Sequence, residues 1–231
     1  MRDLAILVPS RGRPQSVARL IGACSELCET DWELLFAFDE DDPSVPDARG
    51  ERVWSCVGPR NTLAGWTNDL FQMMQEMEPP RYYASLGDDH VPLTPGWDKR
   101  LISVLDGHGG GFAYCNNGHQ IKGQRNLPEM CVMSAAIPAA LGWVCEPSLA
   151  HYYVDNVWKD LGEGAGCLHY LDDVTVEHRH WGFGAAPADD TYFDNQEKGP
   201  NDRTEYELWR EDRMGWDVAK VVKALASLPG R

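Results

Sequence analysis

The 231-residue sequence is poor in basic residues relative to acidic ones. Lys and Arg number 21 against 36 Asp and Glu, which gives a formal net charge of −15. A surface this acidic repels polyphosphate at long range, so the composition argues against a non-specific coat of nucleic acid. No apolar run approaches the roughly 20 residues that span a bilayer. Residues 1–8 have neither the basic flank nor the long apolar core of a signal peptide. These features predict a cytoplasmic protein without a membrane segment.

The seven cysteines lack the spacing of a metal site or a disulfide framework. Their number is odd and no two form a CxxC pair, which argues against a structural zinc ribbon. Cys24 and Cys28 lie one helical turn apart within an apolar pattern. We therefore expect reduced, buried thiols. The sequence also lacks the GxGxxG and Walker phosphate loops.

The first half of the chain alternates strand-like apolar runs with helical periodicity. Leu4–Val8 is a continuous apolar run, typical of a strand buried on both faces. Further strands are predicted at 32–38, 52–57 and 82–86, with helices beginning after 14, 61 and 95. This alternation predicts an α/β fold with a parallel sheet and right-handed crossovers.

The second half is less regular. Strands are predicted at 112–114, 130–133 and 168–176, helices at 136–141, 152–161, 204–213 and 216–228, and a Gly-, Pro- and Asp-rich loop at 182–201. Ligands of parallel sheets bind at the carboxyl ends of the strands. Charged residues and glycines cluster in the loops after the first, second and fourth predicted strands, so we expect a site there.

Arg11 and Arg13 follow the first strand. Backbone N–H groups and a helix dipole at this position favour an anion, and arginine suits phosphate. The alternative is a pair of solvated basic residues. After the second strand, one carboxylate of Asp39–Asp42 is expected to accept hydrogen bonds from a base or a ribose, and the other three are expected to form a solvated turn.

Two groups of residues have the chemistry of a metal site. Asp88 and Asp89 are adjacent carboxylates at the end of a buried strand, where a divalent cation such as Mg²⁺ or Mn²⁺ would compensate their charge. The alternative is a polar turn. His178 and His180 would share one face of a strand, and imidazole beside carboxylates can complete a manganese site. The alternative for this pair is two surface histidines.

Asp155 stands at the start of a predicted helix. An acid in this position is a helix cap or a dipole partner, or a general base if it faces a cleft. The local sequence leaves this choice open. Trp66 and Trp97 fall on apolar helix faces, where core packing is the expected role.

Taken in order, these segments resemble the GT-A glycosyltransferases, especially the family-2-like nucleotide-sugar enzymes. The resemblance covers about residues 4–181. It is carried by Ile6–Pro14 (ILVPSRGRP), Phe38–Asp41 (FDED), Gly65–Asn68 (GWTN) and, most of all, Leu86–Trp97 (LGDDHVPLTPGW). The last segment looks like the Asp-x-Asp motif of the family, which a Pro-Gly turn and an apolar helix normally follow. Compact length is a further similarity to small bacteriophage-encoded members.

The resemblance implies a GT-A (Rossmann-like) fold, with a mixed, mainly parallel sheet flanked by helices and with C-terminal helices. It also implies a single domain over residues 1–231. Within that domain we expect a nucleotide-binding half at 1–106, an acceptor-side half at 107–181, and a loop with the C-terminal helices at 182–231.

The family pattern assigns roles to residues of this sequence. The nucleotide-sugar would contact Pro9, Ser10, Arg11, Arg13, Asp39, Asp41, Trp66, Asn68, Gly87 and Asp88. A divalent metal (Mn²⁺ or Mg²⁺) would be held by Asp89, with Asp88 and His180. Asp155 takes the place of the catalytic base of inverting members, and Trp143, Tyr153 and His178 would lie on the acceptor side.

Two departures from the family pattern affect these assignments. Gly87 occupies the usual first Asp position, so the motif reads Gly-Asp-Asp. The late acidic motif is reduced to Val154-Asp155, which leaves Asp155 without its usual acidic neighbour.

The implied function is a metal-dependent, inverting glycosyltransferase that uses a nucleotide-diphosphate sugar, with UDP-sugars favoured. Candidate acceptors are a modified DNA base, a protein hydroxyl or a small glycoside. Two alternatives stay open: a nucleotidyltransferase of related fold, and a non-catalytic nucleotide- or sugar-binding protein. The first would release pyrophosphate from a nucleoside triphosphate, and the second would bind without transfer.

Overall fold

A computed structural model describes residues 2–46, 48–119, 127–186 and 197–228, together with 189, 191 and 193. Its described strands are β1 (Leu4–Ser10), β2 (Trp32–Asp39), β3 (Val53–Gly58), β4 (Tyr82–Ser85), β5 (His90–Pro92), β6 (Phe112–Asn116), β7 (Cys131–Ser134) and β8 (Leu168–His178). They join in the order β3-β2-β1-β4-β7-β6-β8-β5.

The sheet is mixed, with a parallel half formed by the first strands. β3, β2, β1 and β4 run parallel, so that Leu4 lies opposite Trp32 on one side and Tyr82 on the other. β7 runs antiparallel to β4 and β6, while β8 is parallel to β6. β5 pairs antiparallel with β8, which sets His90 opposite His178. The mixed, mainly parallel α/β architecture expected from the sequence is confirmed.

Helices cover the sheet. They are α1 (Pro14–Leu27), α2 (Leu63–Glu76), α3 (Trp97–His108), α4 (Ala136–Leu141), α5 (Val154–Gly164), α6 (Gly199–Asp212) and α7 (Met214–Ala226), and a turn of 3₁₀ helix spans Trp181–Phe183. Thr62 caps α2 by accepting a hydrogen bond from the Gly65 N–H at 3.0 Å. Pro14 begins α1 at a position where its missing N–H costs nothing.

The bounds of the last three predicted helices differ from the observed ones by one to five residues. The helix predicted at 152–161 begins at Val154 and continues past Gly162 to Gly164 as α5. Gly162 serves close packing instead, because a Cβ there would lie 2.8 Å from the Cβ of Leu168. The next helix, α6, begins at Gly199, five residues before its predicted start. Part of the predicted loop at 182–201 lies outside the described residues.

The core consists of two apolar clusters, one on each face of the sheet. Alternate residues of β1 divide between them: Leu4 and Ile6 belong to one cluster, and Ala5 and Leu7 to the other. Trp97 is fully buried, which confirms its predicted core role. None of the helices in the described part of the chain has both the length and the apolar character to span a bilayer.

The cysteines are unpaired, as expected. All seven are free thiols, and five of them are buried. Cys28 and Cys56 are half-buried, so for these two the prediction of full burial was wrong.

Candidate active site

A cavity of about 420 Å³ lies where several strands end. Its wall contains Ser10 at the end of β1, Asp39 at the end of β2 and Ser85 at the end of β4. His178 at the end of β8 and Asp155 in the first turn of α5 also line it. The cavity therefore occupies the edge of the sheet that the strand-end argument indicated.

The structure brings most of the expected site residues to this cavity. Its wall includes Pro9, Ser10, Arg11, Arg13, Asp39, Trp66, Gly87, Asp88, Asp89, Tyr153, Asp155, His178 and His180. Asp41, Asn68 and Trp143 are not among the lining residues.

Asn68 and Trp143, for which substrate contacts are predicted, make contacts within the protein outside the lining of this cavity. The Asn68 side chain donates to the Cys145 carbonyl at 2.8 Å and accepts from the Val144 N–H at 2.9 Å and the Cys145 N–H at 3.0 Å. These bonds use both acceptor sites of the side-chain oxygen and one of the two N–H donors of the amide. Trp143 is 9% exposed and packs in the apolar cluster under the sheet.

The acidic turn after β2 holds the loop after β1. Arg11 donates to Asp39 Oδ2 at 3.0 Å and to both carboxylate oxygens of Asp41. The Gly12 N–H donates to Asp42 Oδ2 at 2.8 Å. The expectation of a solvated turn therefore holds for Glu40 and Asp41, which are both exposed, but not for the buried Asp42.

Asp39 is nearly saturated by protein donors. Its Oδ1 accepts from the indole N–H of Trp66 at 2.7 Å and from the Asn61 N–H at 3.0 Å, while Oδ2 accepts from Arg11. A carboxylate offers about four acceptor sites. Asp39 thus orders three segments around the cavity and has about one acceptor site left for a ligand.

Replacing Trp66 with phenylalanine should lower stability measurably. The change removes a buried N–H···O bond to a charged acceptor, which costs about 1–3 kcal/mol. For a domain of this size the melting temperature should fall by about 2–10 °C. Trp216→Phe is the matched control, because Trp216 is 77% exposed. Equal melting temperatures for the two variants would show that the bond contributes nothing.

Asp88 is engaged with the loop after β1. Its oxygens accept from Ser10 Oγ at 2.6 Å and from Arg13 Nη1 at 3.1 Å. Burial raises the pKa of Asp88 to about 6, although the Arg13 guanidinium opposes the rise. Arg13 also forms a two-pronged ion pair with Asp189, at 2.7 and 2.9 Å. Asp88 and Arg13 thus form a pair that orders the β1–α1 loop.

Asp89, His90 and His178 form the group with metal-binding geometry among the described residues. Their ligand atoms lie within 4.8 Å of one another. Asp89 Oδ1 is 3.6 Å from His178 Nε2 and 3.6 Å from His90 Nδ1. The antiparallel β5–β8 pairing stacks the two imidazoles at 4.3 Å. Neither Asp88 nor His180, the expected companions of Asp89, belongs to this group.

His180 lines the cavity at a different point. Its Nδ1 accepts from the Gly182 N–H at 3.1 Å, which makes it the cap of the 3₁₀ turn. His178 instead holds the orientation of a metal ligand, because its Nδ1 lies 2.8 Å from Glu129 Oε2 and its Nε2 faces Asp89. A carboxylate behind an imidazole is the usual support of a metal-bound histidine.

The charges of this group are strongly coupled. Burial opposes the ionisation of Asp89, but His178 outweighs it and holds the pKa of Asp89 well below its usual range. Burial also opposes protonation of His178, but the carboxylates of Asp89 and Glu129 raise its pKa to about 9. Burial and the charge of His178 lower the pKa of His90 to about 4.

The donor set fits a divalent metal. Ligand atoms bound to one ion at about 2.1 Å lie about 3–4 Å apart, comparable to the 3.6 Å between Asp89 Oδ1 and His178 Nε2. His90 Nδ1 accepts from the Gly87 N–H at 2.9 Å, and its Nε2 is buried without a hydrogen-bond partner. Because Nδ1 is the acceptor, Nε2 carries the proton of the neutral ring, so His90 lies beside Asp89 and His178 without adding a free ligand atom to them.

Asp155 lies in the cavity wall, and its Oδ1 accepts from the Asn156 N–H at 2.9 Å. Burial raises the pKa of Asp155 to about 6, and the charge of Glu129 adds to the rise. A carboxyl that titrates near neutrality in a cavity has the acidity of a general base. The geometry thus places Asp155 in the cleft, the condition for a base that the local sequence left open.

Several lining residues were missed by the sequence analysis. His90, Glu129 and His151 line the cavity, as do Arg60 and Lys198. His90 directly follows Asp89, which was a usable signal. Glu129 stands next to a predicted strand without a motif, so only its contact with His178 reveals it.

No protein-family model matches the chain, and no curated protein matches it. Solved structures do match. Residues 1–349 of TarS from S. aureus, in complex with UDP, align with a TM-score of 0.56 at 10% identity, over 75% of this chain and 59% of that chain. The mannosyltransferase PcManGT from Pyrobaculum calidifontis, in complex with GDP-Man and Mn²⁺, aligns with a TM-score of 0.57 at 11% identity, over 98% of this chain and 76% of that chain.

These likenesses concern the fold. The chain spans about 59% of the length of the TarS structure that it matches. The mannosyltransferase shares its fold with 98% of this chain, so the GT-A architecture that the sequence resemblance implied is confirmed.

Proposed function

We propose that this protein is a metal-dependent glycosyltransferase that moves a sugar from a nucleotide-diphosphate sugar to an acceptor hydroxyl, with inversion. One observation carries the proposal: a single cavity contains both the Asp89–His178 group and the partly buried carboxyl of Asp155. The first is suited to a metal and the second to a base. The complexes of the structural neighbours with UDP, and with GDP-Man and Mn²⁺, support a nucleotide-sugar donor.

The nucleoside diphosphate is proposed to bind at the ends of β1 and β2. Arg11 and Arg13 both line the cavity there, each held by carboxylates. Arginine forks bind phosphate through paired charge-assisted hydrogen bonds, and a diphosphate would compete with Asp41 and Asp189 for them. Pro9, Ser10 and Trp66 complete this end of the wall.

Asp89 and His178 are the proposed metal ligands, with His90 beside them. A set that mixes imidazole with carboxylate suits Mn²⁺ better than Mg²⁺, which prefers oxygen alone. When bound, the metal supplies positive charge that stabilises the departing diphosphate. Asp88 is proposed to hold Arg13 and Ser10 in place, since both of its oxygens already accept from them.

Asp155 is the proposed base. Its carboxylate takes the proton of the acceptor hydroxyl, and the freed oxygen forms a bond to the anomeric carbon while the bond from that carbon to the diphosphate breaks. The nucleoside diphosphate leaves with the electron pair. Attack opposite the leaving group inverts the anomeric configuration.

The acceptor is proposed to enter beside the rings of Tyr153 and Phe183, which line the cavity with Asp155. Flat aromatic faces suit a sugar ring or a base. A hydroxylated DNA base, a serine-containing peptide and a small glycoside form the first acceptor panel. Transfer to one of them, with the anomeric configuration read by NMR, tests both acceptor class and inversion.

Turnover should depend on pH through Asp155. Because burial raises its pKa to about 6, the base is protonated and inactive below that value and ionised above it. We expect kcat at saturating donor and Mn²⁺ to fall about tenfold per pH unit below pH 6 and to level off above about pH 7. The measurement is kcat against pH. A profile without this acidic limb would contradict the assignment.

The first test of the function is ligand binding. A thermal-shift panel of UDP, GDP, CMP, dTDP and ATP, each with Mn²⁺ and with EDTA, should show a metal-dependent shift for one nucleoside diphosphate. Binding at 100 times Kd stabilises the folded state by about 2.7 kcal/mol. Hydrolysis of UDP-glucose or GDP-mannose then tests catalysis without an acceptor. Absence of both shift and hydrolysis would overturn the proposal.

A further inference from the structure

A buried carboxylate on α6 holds the turn that leads into α5. Asp202, in the first turn of α6, has no exposed surface. Its Oδ1 accepts from the Ala150 N–H at 2.9 Å, and its Oδ2 accepts from the N–H groups of His151 and Tyr152, both at 2.8 Å. One side chain thus accepts hydrogen bonds from three consecutive backbone N–H groups. Asp202 is 50 residues from Tyr152, the nearest of the three along the chain.

The turn that Asp202 holds ends in backbone strain. Tyr153 has a φ of +66°, the only positive value at a non-glycine residue in the described part of the chain. A bulky residue is strained in the left-handed region, and this conformation persists only where its surroundings determine it. Tyr153 is the residue before α5, so its conformation sets the direction in which that helix starts.

α6 supports the strained residue a second time. The ring of Tyr206 stacks on the ring of Tyr153 at 5.0 Å with an interplanar angle of 20°. The Tyr206 hydroxyl donates to Asp160 on α5 at 2.8 Å. On the other side of the turn, the Ala64 N–H of α2 donates to the Ala150 carbonyl at 3.2 Å. The turn is therefore bound on both sides, and its α6 side rests on Asp202 and Tyr206.

We propose that Asp202 is a positioning residue, which holds the turn at 150–153 so that Asp155 faces the cavity. This inference rests on the proposed role of Asp155. Asp202 does not line the cavity, so it acts through the backbone alone. Helix α6 thereby contributes to the geometry of the proposed active site.

The test compares Asp202→Asn with Glu211→Gln. Asparagine keeps one acceptor oxygen but turns an NH₂ group toward a backbone N–H, so the turn loses at least one bond. Glu211 is exposed on the same helix, and its variant removes the same charge without touching the turn. The readouts are kcat and donor KM for hydrolysis of UDP-glucose and GDP-mannose with Mn²⁺.

For Asp202→Asn we expect kcat to fall about 10–100-fold, because a base displaced by about 1 Å loses that much. Donor KM should stay unchanged, since Arg11, Arg13 and Asp89 belong to other elements. Glu211→Gln should match the wild type. An unchanged kcat in Asp202→Asn overturns the proposal. So does a fall in kcat with a matching rise in donor KM, which marks general loss of structure.

A second readout does not need activity. Hydrogen exchange at the amides of residues 150–152 should accelerate in Asp202→Asn, with exchange in β1 and α1 unchanged. If hydrogen exchange at residues 150–152 is unchanged in Asp202→Asn, Asp202 does not hold the turn and the proposal is overturned. If Asp202→Asn fails to fold, Tyr206→Ala removes the ring support from the same side and should show the same split between kcat and KM.

The two proposals fail in distinguishable ways. A wild-type chain that neither binds a nucleoside diphosphate nor hydrolyses a donor overturns the proposed function, and the catalytic meaning of the anchor with it. If the wild type is active, and Asp202→Asn has the same kcat and the same hydrogen exchange at residues 150–152, only the positioning role of Asp202 is overturned.

Discussion

Replacing Asp89 with alanine is expected to abolish the manganese-dependent binding of a nucleoside diphosphate to this protein. Loss of a residue that merely supports a metal ligand typically lowers metal affinity about 10–100-fold. Loss of a ligand itself should cost at least the upper end of that range. Calorimetric titration of UDP and GDP, each with Mn²⁺ and with EDTA, measures the effect. Asp89→Asn should lose the same binding while conserving the shape of the side chain.

The physical reason is the arrangement around this one carboxylate. Asp89 is 9% exposed and lies 3.6 Å from His178 Nε2, and its other oxygen lies 3.6 Å from Arg13 Nη1. Asp89 is the single carboxylate of the metal-binding group. In Asp89→Ala, the cation would therefore meet the imidazole of His178 and the positive charge of Arg13 without the negative charge of Asp89. The remaining imidazoles would bind a hard ion weakly.

Glu40→Gln is the control for Asp89→Asn. Glu40 is exposed beside the cavity residue Asp39, so the variant removes one negative charge near the site without touching the metal-binding group. It should bind the nucleotide as the wild type does. If Asp89→Asn binds nucleotide with an unchanged response to Mn²⁺, Asp89 is not a metal ligand.

The second large effect is expected for Asp155→Asn. A positioned general base contributes about 10²–10⁴-fold to turnover, so kcat for transfer or donor hydrolysis should fall by that factor. Binding of the nucleoside diphosphate should persist, because Arg11, Arg13 and Asp89 are unaffected. The measurements are steady-state kinetics and calorimetric titration of the same variant.

The pKa of Asp155 adds an expectation for stability. Because burial raises its pKa from the ordinary carboxyl range to about 6, the folded state favours the protonated form. The stability from this preference is present below about pH 4 and is lost as the pH rises through 6. Asp155→Asn should therefore be no less stable than the wild type at pH 7. A residue that costs stability where it serves turnover is common in active sites.

Glu163→Gln is the matched control on the same helix. Glu163 is exposed, and its ion pair with Lys159 is at 4.0 Å, so its loss should leave kcat within error of the wild type. If Asp155→Asn turns over at the wild-type rate, the base assignment is wrong. The acidic limb of the pH profile would then belong to another group.

The predictable parts of the fold are those with a strong local pattern. The buried run at 4–8, the cap at Thr62 and the proline at the start of α1 each determine their element from neighbours along the chain. β5 was not predicted, because three residues carry no periodicity. Its pairing with β8 is nevertheless what brings His90 to His178.

The candidate site divides in the same way. Asp88 and Asp89 were recognisable as a pair of carboxylates at a strand end, but their different partners were not. Ser10, 78 residues away, takes one oxygen of Asp88, while Asp89 faces His178. Asn68 belonged to a family-like segment, and only its contact with the 144–145 backbone showed a supporting role.

The sequence by itself determined the order of the strands and helices other than β5, and the strand ends at which charged residues cluster. Both follow from apolar periodicity and turn residues, which act over a few positions. Only the tertiary structure decided that His178 rather than His180 lies beside Asp89, that Glu129 supports it, and that Asp202 holds the turn before Asp155. These choices depend on strand pairing and helix packing between distant segments. Residues 178 and 180 have the same place in the two-residue strand period, so only the pairing of His90 with His178 distinguishes them.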